Sequence, residues 1–382
     1  MKKHADPYVR ISRSFPHSKM KINASSQPPV RIRAVGKALP KHYASQETLI
    51  SVFRDAWAGA HYNPERLEEL HRSVQVAGRY LALPLEAYRE LKSFAARNEA
   101  WTRAAVDLGE GAIRKALEKA GLLPTDVDHL VFVTTTGIAT PSIDARLVNR
   151  LGLRRDIRRT PIFGLGCLGG AAGISRASDL LAAYPGQVAV LLSVELCSLT
   201  LQMDDLSIPN IISSGLFGDG AVAVVLTSGR RDQGTSEGGP AVVGSGSAFY
   251  PDTERVMGWD VVESGFKVVL SAQVPEVVRK NVRNDVDGFL TRSGLSRSAI
   301  RHWIAHTGGP KVLKTFESAL DLPEGALERS WKSLKETGNL SSASVLFVLG
   351  DLLDSGQPVK GDFGLLMSMG PGFCSELVLL KW

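Results

Sequence analysis

The segment from Pro161 to Gly173 constrains the fold of this chain more than any other feature. It reads Pro-Ile-Phe-Gly-Leu-Gly-Cys-Leu-Gly-Gly-Ala-Ala-Gly, an apolar run that ends in small residues, then a single cysteine and a segment rich in glycine and alanine. This order predicts a strand that leads Cys167 to the start of a buried helix. The free amides and the dipole at a helix N-terminus favour a thiolate, which is a strong nucleophile. Cys167 is therefore a candidate for covalent acyl transfer, and a structural cysteine in a tight turn is the alternative.

The same segment contains a second pattern. Gly164, Gly166 and Gly169 spell G-x-G-x-x-G after an apolar run, and Glu195 follows the next strand-like run. This arrangement is typical of dinucleotide binding and supports an NAD-binding oxidoreductase as a competing hypothesis. Against it, Cys167 lies inside the loop that would have to approach a pyrophosphate closely, and the segment comes late in the chain.

Length and cysteine content set the broad class of the protein. With 382 residues the chain can bury a large core, as one domain or as two similar halves. No apolar run reaches the length of a membrane span, and the N-terminus lacks the apolar core of a secretion signal, so we expect no stable membrane insertion. Three cysteines without a C-x-x-C pair indicate neither a disulfide framework nor a metal site. A cytoplasmic protein fits these features.

The formal net charge of +6 gives a weaker indication. The basic residues of the chain are mostly scattered, whereas a surface that binds nucleic acid would need a clustered stripe of basic residues. We therefore expect no nucleic acid as a partner. The excess suits the phosphates of a coenzyme at least as well. Residues 1–29 are basic and polar without a periodic apolar face, and we predict a flexible tail there.

Helical and strand-like patterns alternate after this tail. Apolar strands separated by helices indicate an α/β sheet covered on both faces. The order partly recurs beyond the glycine-rich residues 234–246, so we predict two α/β halves, 30–240 and 241–382. The predicted strands are Val30–Val35, His129–Thr136, Val188–Val194, Ala221–Thr227, His302–Ala305, Gly364–Met369 and Glu376–Leu380; the predicted helices include Trp101–Ala120, Val274–Gly294 and Ser342–Ser355, with another capped by Ser45.

Two segments of the second half carry further candidates for chemistry. His306 ends an apolar strand and enters Thr-Gly-Gly-Pro, which places an imidazole at a strand end, where α/β sheets usually have their pockets. Asn339 lies in Gly-Asn-Leu-Ser-Ser-Ala, whose small residues would let a helix begin close to another backbone. A histidine satisfied in a turn and an N-capping asparagine are the alternatives.

The Cys167, His306 and Asn339 segments, in this order and spacing, resemble the Cys, His and Asn motifs of type III polyketide synthases, the chalcone synthase-like enzymes. The likeness covers nearly the whole chain after the tail and includes Gly-Leu-Phe-Gly-Asp-Gly at residues 215–220 and Met-Gly-Pro-Gly-Phe at residues 369–373. It implies a thiolase fold with duplicated α/β halves in five layers, α-β-α-β-α, and a homodimer. It also implies an acyltransferase that joins an acyl-CoA starter to malonyl-CoA units and binds no permanent cofactor.

The resemblance implies specific roles for the three residues. Cys167, paired with His306, would take the acyl group from a CoA thioester. Donors from His306 and Asn339 would stabilise the enolate that malonyl-CoA leaves when it loses CO2. Phe217 matches the family's gatekeeping phenylalanine.

Further residues match pocket positions of the family. Val268 falls where the family has a second gatekeeping phenylalanine, and Trp259 falls where plant enzymes have glycine. The loss of one aromatic wall argues against a plant-like aromatic starter. The remaining predicted pocket residues are Thr135, Cys197, Thr200, Ser341 and Met369.

The resemblance also suggests surface positions. Arg66, Arg72 and Arg79 lie in the region that holds CoA in the family, and Thr140 falls at the dimer-crossing position. For the product, we expect a medium or long fatty acyl-CoA starter and an alkylpyrone or alkylresorcinol. The alternatives are a tetrahydroxynaphthalene synthase that uses malonyl-CoA alone, a ketoacyl-ACP synthase III, and a non-catalytic binding protein of the same fold.

Overall fold

A computed structural model describes residues 28–57, 63–229 and 238–382. Residues 1–27, which include nearly all of the predicted basic tail, lie outside the described residues. Within the described ranges, every helix is too short or too polar to cross a membrane.

The strands form one large sheet and two small two-stranded sheets. The order in the large sheet is β11-β12-β13-β8-β1-β7-β6-β4-β5, and among the described residues its two halves join through two residue pairs between β1 and β8. The small sheets pair β2 with β3 and, as a hairpin, β9 with β10. The strands are β1 (Val30–Ala38), β2 (His42–Ser45), β3 (Gly78–Leu81), β4 (His129–Thr134), β5 (Arg158–Phe163), β6 (Val188–Leu196), β7 (Asp219–Ser228), β8 (Ala241–Phe249), β9 (Met257–Val262), β10 (Gly265–Leu270), β11 (Ile300–Ala305), β12 (Phe363–Gly370) and β13 (Cys374–Lys381).

The helices complete a five-layered arrangement. They are α1 (Gln46–Trp57), α2 (Pro64–Ser73), α3 (Phe94–Ala120), α4 (Ile143–Leu151), α5 (Gly169–Ala183), α6 (Ile208–Leu216), α7 (Val274–Arg292), α8 (Pro310–Leu320), α9 (Glu328–Thr337) and α10 (Ser344–Asp354). α3 and α4 cover the outer face of the β1-to-β5 half, α7, α8 and α9 cover the outer face of the other half, and α5 and α10 lie between them. The predicted duplicated α/β fold is confirmed.

Side chains that alternate along β4 pack on both faces of the sheet, which explains why the sequence of this strand is continuously apolar. Leu130 and Phe132 of β4 face the outer helices, whereas Val131 and Val133 face the central layer. Both faces are therefore buried, as the sequence predicted.

The small residues of α5 let the central layer pack closely. A Cβ atom added to Gly170 would lie 2.3 Å from the Ser342 carbonyl oxygen, and one added to Gly173 would lie 2.5 Å from Leu191 Cδ1. The glycine- and alanine-rich sequence is thus required by the distance between α5, the loop before α10 and β6.

Candidate active site

Cys167 lies where the sequence placed it, between a strand and a buried helix. It is the middle residue of a single helical turn, Gly166–Leu168, that connects β5 to α5. Gly166 has a φ of 52°, and a Cβ there would lie 2.5 Å from Pro371 Cδ. This turn therefore requires glycine, and it fixes the thiol at the N-terminal end of α5.

The protonation of Cys167 differs from the expectation. Burial raises the pKa of its thiol to about 12, and the Glu195 carboxyl group acts in the same direction. The Ser341 hydroxyl, whose Oγ lies 3.9 Å from the Cys167 Sγ, and the Asn339 side chain lower this pKa, but by less. Burial therefore opposes the thiolate more strongly than these hydrogen bonds favour it, which favours the neutral thiol.

His306 follows β11 and is fully buried as a neutral imidazole. Its backbone N–H donates to the Met367 carbonyl of β12 at 3.0 Å. Because Ile304 faces the central layer, strand alternation turns His306 to the same layer. Burial lowers the pKa of His306 to about 3, and neither ring nitrogen has a hydrogen-bond partner among the described residues. A neutral imidazole can accept a thiol proton or donate its own N–H.

The end of β12 connects His306 to the cysteine turn. A Cβ added to Gly370 would come within 2.8 Å of the Leu168 backbone nitrogen, so the turn lies directly on this strand. Met367, the backbone partner of His306, precedes Gly370 in the same strand. The turn that holds Cys167 and, separately, His306 therefore both pack on β12, at Gly370 and Met367.

Asn339 lies in the loop before α10. Its Oδ1 accepts hydrogen bonds from the Ser341 backbone N–H at 2.8 Å and from the Ser344 hydroxyl at 3.4 Å. Because these donors fix the oxygen, the amide NH2 group is left for other acceptors. The effect of Asn339 on the pKa of Cys167 places its side chain in the neighbourhood of the thiol.

Glu195 is a site residue whose role the sequence reasoning missed. Its fully buried carboxyl group accepts hydrogen bonds from the Thr135 backbone N–H at 3.0 Å, the Thr136 hydroxyl at 2.9 Å and the Ser342 hydroxyl. Burial raises its pKa to about 7. The only sequence signal was its place after a buried strand, where it was assigned to a dinucleotide fingerprint. Because protein donors occupy its oxygens, Glu195 is not free to bind a ribose. Of the glycines of that pattern, Gly166 and Gly169 are required by close packing, and Gly164 adopts a φ of 91°.

A cavity of about 430 Å³ collects five of the predicted pocket residues. Trp259 of β9 and Val268 of β10 are direct cross-strand partners and line it together. The aromatic wall that is missing at Val268 is thus supplied from the neighbouring strand. The other three predicted residues that line the cavity are Cys197, Thr200 and Phe217.

Three predicted pocket residues lie elsewhere. Ser341 contacts Cys167, and Thr135 binds Glu195 through its backbone. Met369 packs in the outer core of the second half, because alternation along β12 turns it away from the central layer.

Of the predicted surface residues, Arg79 is buried, because its guanidinium donates to carbonyl groups inside the protein, and the prediction that it is a surface residue was wrong. The others are exposed. Arg66 pairs with Glu69 at 2.5 Å, and Arg72 pairs with Glu47 at 2.9 Å. Thr140 precedes Pro141 on an exposed loop. These positions leave Arg66, Arg72 and Thr140 accessible, and the CoA and dimer assignments stay predictions.

Comparison with known proteins identifies related sequences across nearly the whole chain. Residues 17–230 match the family model of chalcone and stilbene synthases, N-terminal domain, and residues 241–382 match the C-terminal domain. The chain is 48% identical over 351 residues to a 1,3,6,8-tetrahydroxynaphthalene synthase of Streptomyces peucetius subsp. caesius, covering 92% of this chain and 93% of that protein. It is 33% identical over 362 residues to a 3,5-dihydroxyphenylacetyl-CoA synthase of Streptomyces toyocaensis, covering 93% and 90%.

Solved structures show the same fold. The crystal structure of 1,3,6,8-tetrahydroxynaphthalene synthase from Streptomyces coelicolor A3(2), a bacterial type III polyketide synthase, superposes with a TM-score of 0.86 and 32% identity. The superposition covers 92% of this chain and 99% of that one.

Proposed function

The chain belongs to the chalcone and stilbene synthase family, the type III polyketide synthases, and on that premise we propose that it makes 1,3,6,8-tetrahydroxynaphthalene from malonyl-CoA alone. Members of this family are acyltransferases that use CoA thioesters and hold no permanent cofactor. The observation that carries the proposal is the 48% identity, over 92% of the chain, to a synthase of this product. This choice reverses the order of the two products that the sequence alone favoured.

In the proposed mechanism Cys167 carries the growing chain. His306, as a neutral imidazole, accepts the thiol proton while the sulfur attacks the thioester carbonyl of malonyl-CoA. The new bond joins Cys167 Sγ to the acyl carbon, the bond to the CoA sulfur breaks, and His306 returns the proton to the leaving thiolate. Because the thiol rests in its neutral form, this transfer accompanies the attack and does not precede it.

His306 and Asn339 then act on the next malonyl-CoA. Loss of CO2 leaves an enolate, whose oxygen would accept hydrogen bonds from the imidazole N–H and the Asn339 amide. Such a donor, aimed at the developing charge, contributes about 3–4 kcal/mol. The enolate carbon attacks the acyl-Cys167 thioester, and the lengthened chain returns to the cysteine for another round.

The carbon balance fixes the number of units. Five malonyl units each lose one CO2 and supply the ten carbons of the naphthalene, and ring closure joins carbons within the chain. The cavity beside Cys197, Phe217 and Trp259 is the proposed space in which the chain folds.

A fatty acyl-CoA starter is the second candidate, and the apolar cavity favours it. The lining of this cavity includes the apolar side chains of Leu49, Val52, Phe53, Leu81 and Leu85. These side chains suit an alkyl tail, which would leave the enzyme as an alkylpyrone or alkylresorcinol.

Product analysis separates the two candidates. The purified protein is incubated with malonyl-CoA alone and with a panel of acyl-CoAs plus malonyl-CoA, and the products are identified by mass spectrometry. We expect tetrahydroxynaphthalene, or its oxidation product, from malonyl-CoA alone. Consumption of malonyl-CoA only in the presence of a fatty acyl-CoA would replace the first candidate by the second.

The proposal also covers where the enzyme is located, its oligomeric state and the residues that contact CoA. We propose a cytoplasmic homodimer, with Thr140 near the second subunit and Arg66 and Arg72 near the CoA phosphates. Arg66 and Arg72 would have to exchange their carboxylate partners for phosphate oxygens. The division into 30–240 and 241–382 belongs to this proposal as well.

A further inference from the structure

The C-terminal end of α6 is held by a buried arginine from another element. Helix α6 ends at Leu216, and the carbonyl groups of a helix's last turn have no partners within the helix. Arg79 of β3 donates hydrogen bonds to two of these carbonyl groups. Its Nη1 donates to the Gly215 carbonyl at 2.6 Å, and its Nη2 donates to the Ser214 carbonyl. Gln46 donates to the Gly215 carbonyl at 3.1 Å and accepts from Arg79 Nη1 at 2.7 Å. Only 2% of Arg79 is exposed, so these bonds lie in a low-dielectric interior.

The residues that follow this helix end hold Asn339 on both sides. The Asn339 backbone N–H donates to the Leu216 carbonyl at 2.9 Å, and its carbonyl accepts from the Gly218 N–H at 3.0 Å. Phe217 lies between them as the bridge partner of Asn339. A Cβ added to Gly218 would lie 3.2 Å from Arg79 Cβ, which shows how closely this stretch packs on the arginine. One continuous set of contacts therefore joins the guanidinium to the Asn339 backbone.

We propose that Arg79 is a positioning residue for the decarboxylation step, because it fixes the end of α6 and, through it, the backbone of Asn339. This inference rests on the proposed role of Asn339 in stabilising the enolate. Cys167 is held separately, by the turn that packs on Gly370 and Pro371. Asn339 has only a minor effect on the pKa of the thiol. Loss of the guanidinium should therefore reduce decarboxylation far more than it changes the reactivity of Cys167.

The test compares two reactions in the same variants. Decarboxylation of malonyl-CoA is followed as CO2 release, and the accessibility and reactivity of Cys167 are followed as its rate of alkylation by iodoacetamide. In Arg79→Met we expect the kcat for decarboxylation to fall about ten-fold or more, because a displaced donor loses its alignment. The alkylation rate should change far less, since Asn339 has only a minor effect on the pKa of the thiol. Arg79→Lys should recover part of the loss, since the ammonium group keeps the charge and some of the donors.

Arg283 offers a matched control. It also donates to a carbonyl at a helix C-terminus, that of Ala319 in α8 at 2.7 Å, but its contacts are on the outer layer. Arg283→Met should leave the ratio of decarboxylation to alkylation at the wild-type value. Should Arg79→Met not fold, Gln46→Leu, which removes the second donor to Gly215, is expected to show a smaller loss of the same kind.

The outcomes separate this inference from the proposed function. Wild-type decarboxylation in folded Arg79→Met, or an equal loss of decarboxylation and alkylation, would overturn the positioning role and leave the function standing. Full decarboxylation in Asn339→Ala would instead overturn the function on which the inference rests.

Discussion

The buried ionisable residues determine what this site can do. Burial keeps the Cys167 thiol and the His306 imidazole neutral, so acyl transfer has to couple proton movement to attack on the thioester. A second buried histidine, His71, lies beneath α6, where its Nε2 is 3.0 Å from both the Ile211 carbonyl and the Ser214 hydroxyl. Burial, with the charge of Arg79, lowers the pKa of His71 to about 4.

Stability towards acid tests this assignment for His71. The pKa of His71 is near 6.5 in the unfolded chain and about 4 in the folded protein. Between these two pH values the unfolded chain binds a proton at His71 that the folded protein does not bind. The free energy of unfolding therefore decreases as the pH falls from about 6.5 to 4. Glu195, whose folded pKa is raised to about 7, acts in the opposite sense, so the wild-type curve alone does not isolate His71. Between pH 7 and pH 5 we expect His71→Gln to lose about 2 kcal/mol less of its free energy of unfolding than wild type, measured by urea denaturation. Equal losses in the two proteins would contradict the assignment.

The hairpin of β9 and β10 is the element that gives the cavity its shape. Its Trp259 and Val268 stand opposite each other, so the aromatic ring and the small side chain have exchanged strands relative to the family pattern described above. The Trp259 ring also lies 6.3 Å from the Phe266 ring, which fixes its orientation. We therefore expect the Trp259 indole, held in place by this hairpin, to limit the room for a starter.

Removing the indole tests this limit. Trp259→Gly should enlarge the cavity and raise kcat/KM for hexanoyl-CoA as a starter about ten-fold relative to malonyl-CoA, a change typical of hydrophobic pockets. Val262→Ala is the matched control, because Val262 is an exposed valine on β9 beyond the cavity. An unchanged preference in Trp259→Gly would show that the hairpin does not select the starter.

At the scale of the whole molecule, the five-layered arrangement brings together groups that are far apart in the sequence. The central helices α5 and α10 start side by side, so that the turn holding Cys167 and the loop holding Asn339 meet. His306 packs on β12, the strand whose end contacts the cysteine turn. Neither half of the chain contains the complete site.

The sequence predicted the parts of this arrangement that depend on local patterns. The apolar runs of β4, β6 and β7, the cap at Ser45 and the stop of α3 at Gly121 all appear in the structure, because both faces of these strands are buried and Gly121 adopts a φ of 65°. The three motif residues were found because small residues around them mark close packing.

Contacts between distant segments and the pKa values of buried groups could not be predicted from local sequence patterns. The two small sheets were missed because their strands are only four to six residues long and, apart from β3, mostly part-exposed, so their apolar pattern is weak. Nothing in the sequence marks Met369 as a residue that faces the outer core. The raised pKa of Cys167 was missed too, since desolvation depends on what the rest of the fold places around the sulfur.

The location of the acyl chain during turnover tests most directly whether Cys167 carries it. The enzyme is mixed with malonyl-CoA, quenched within seconds, digested and examined by peptide mass spectrometry, alongside Cys167→Ala and Cys197→Ala. We expect acyl adducts on the peptide that contains Cys167. These adducts should also form in Cys197→Ala. In Cys167→Ala we expect neither adducts nor product. Adducts on Cys197, or product formation by Cys167→Ala at the wild-type rate, would contradict it.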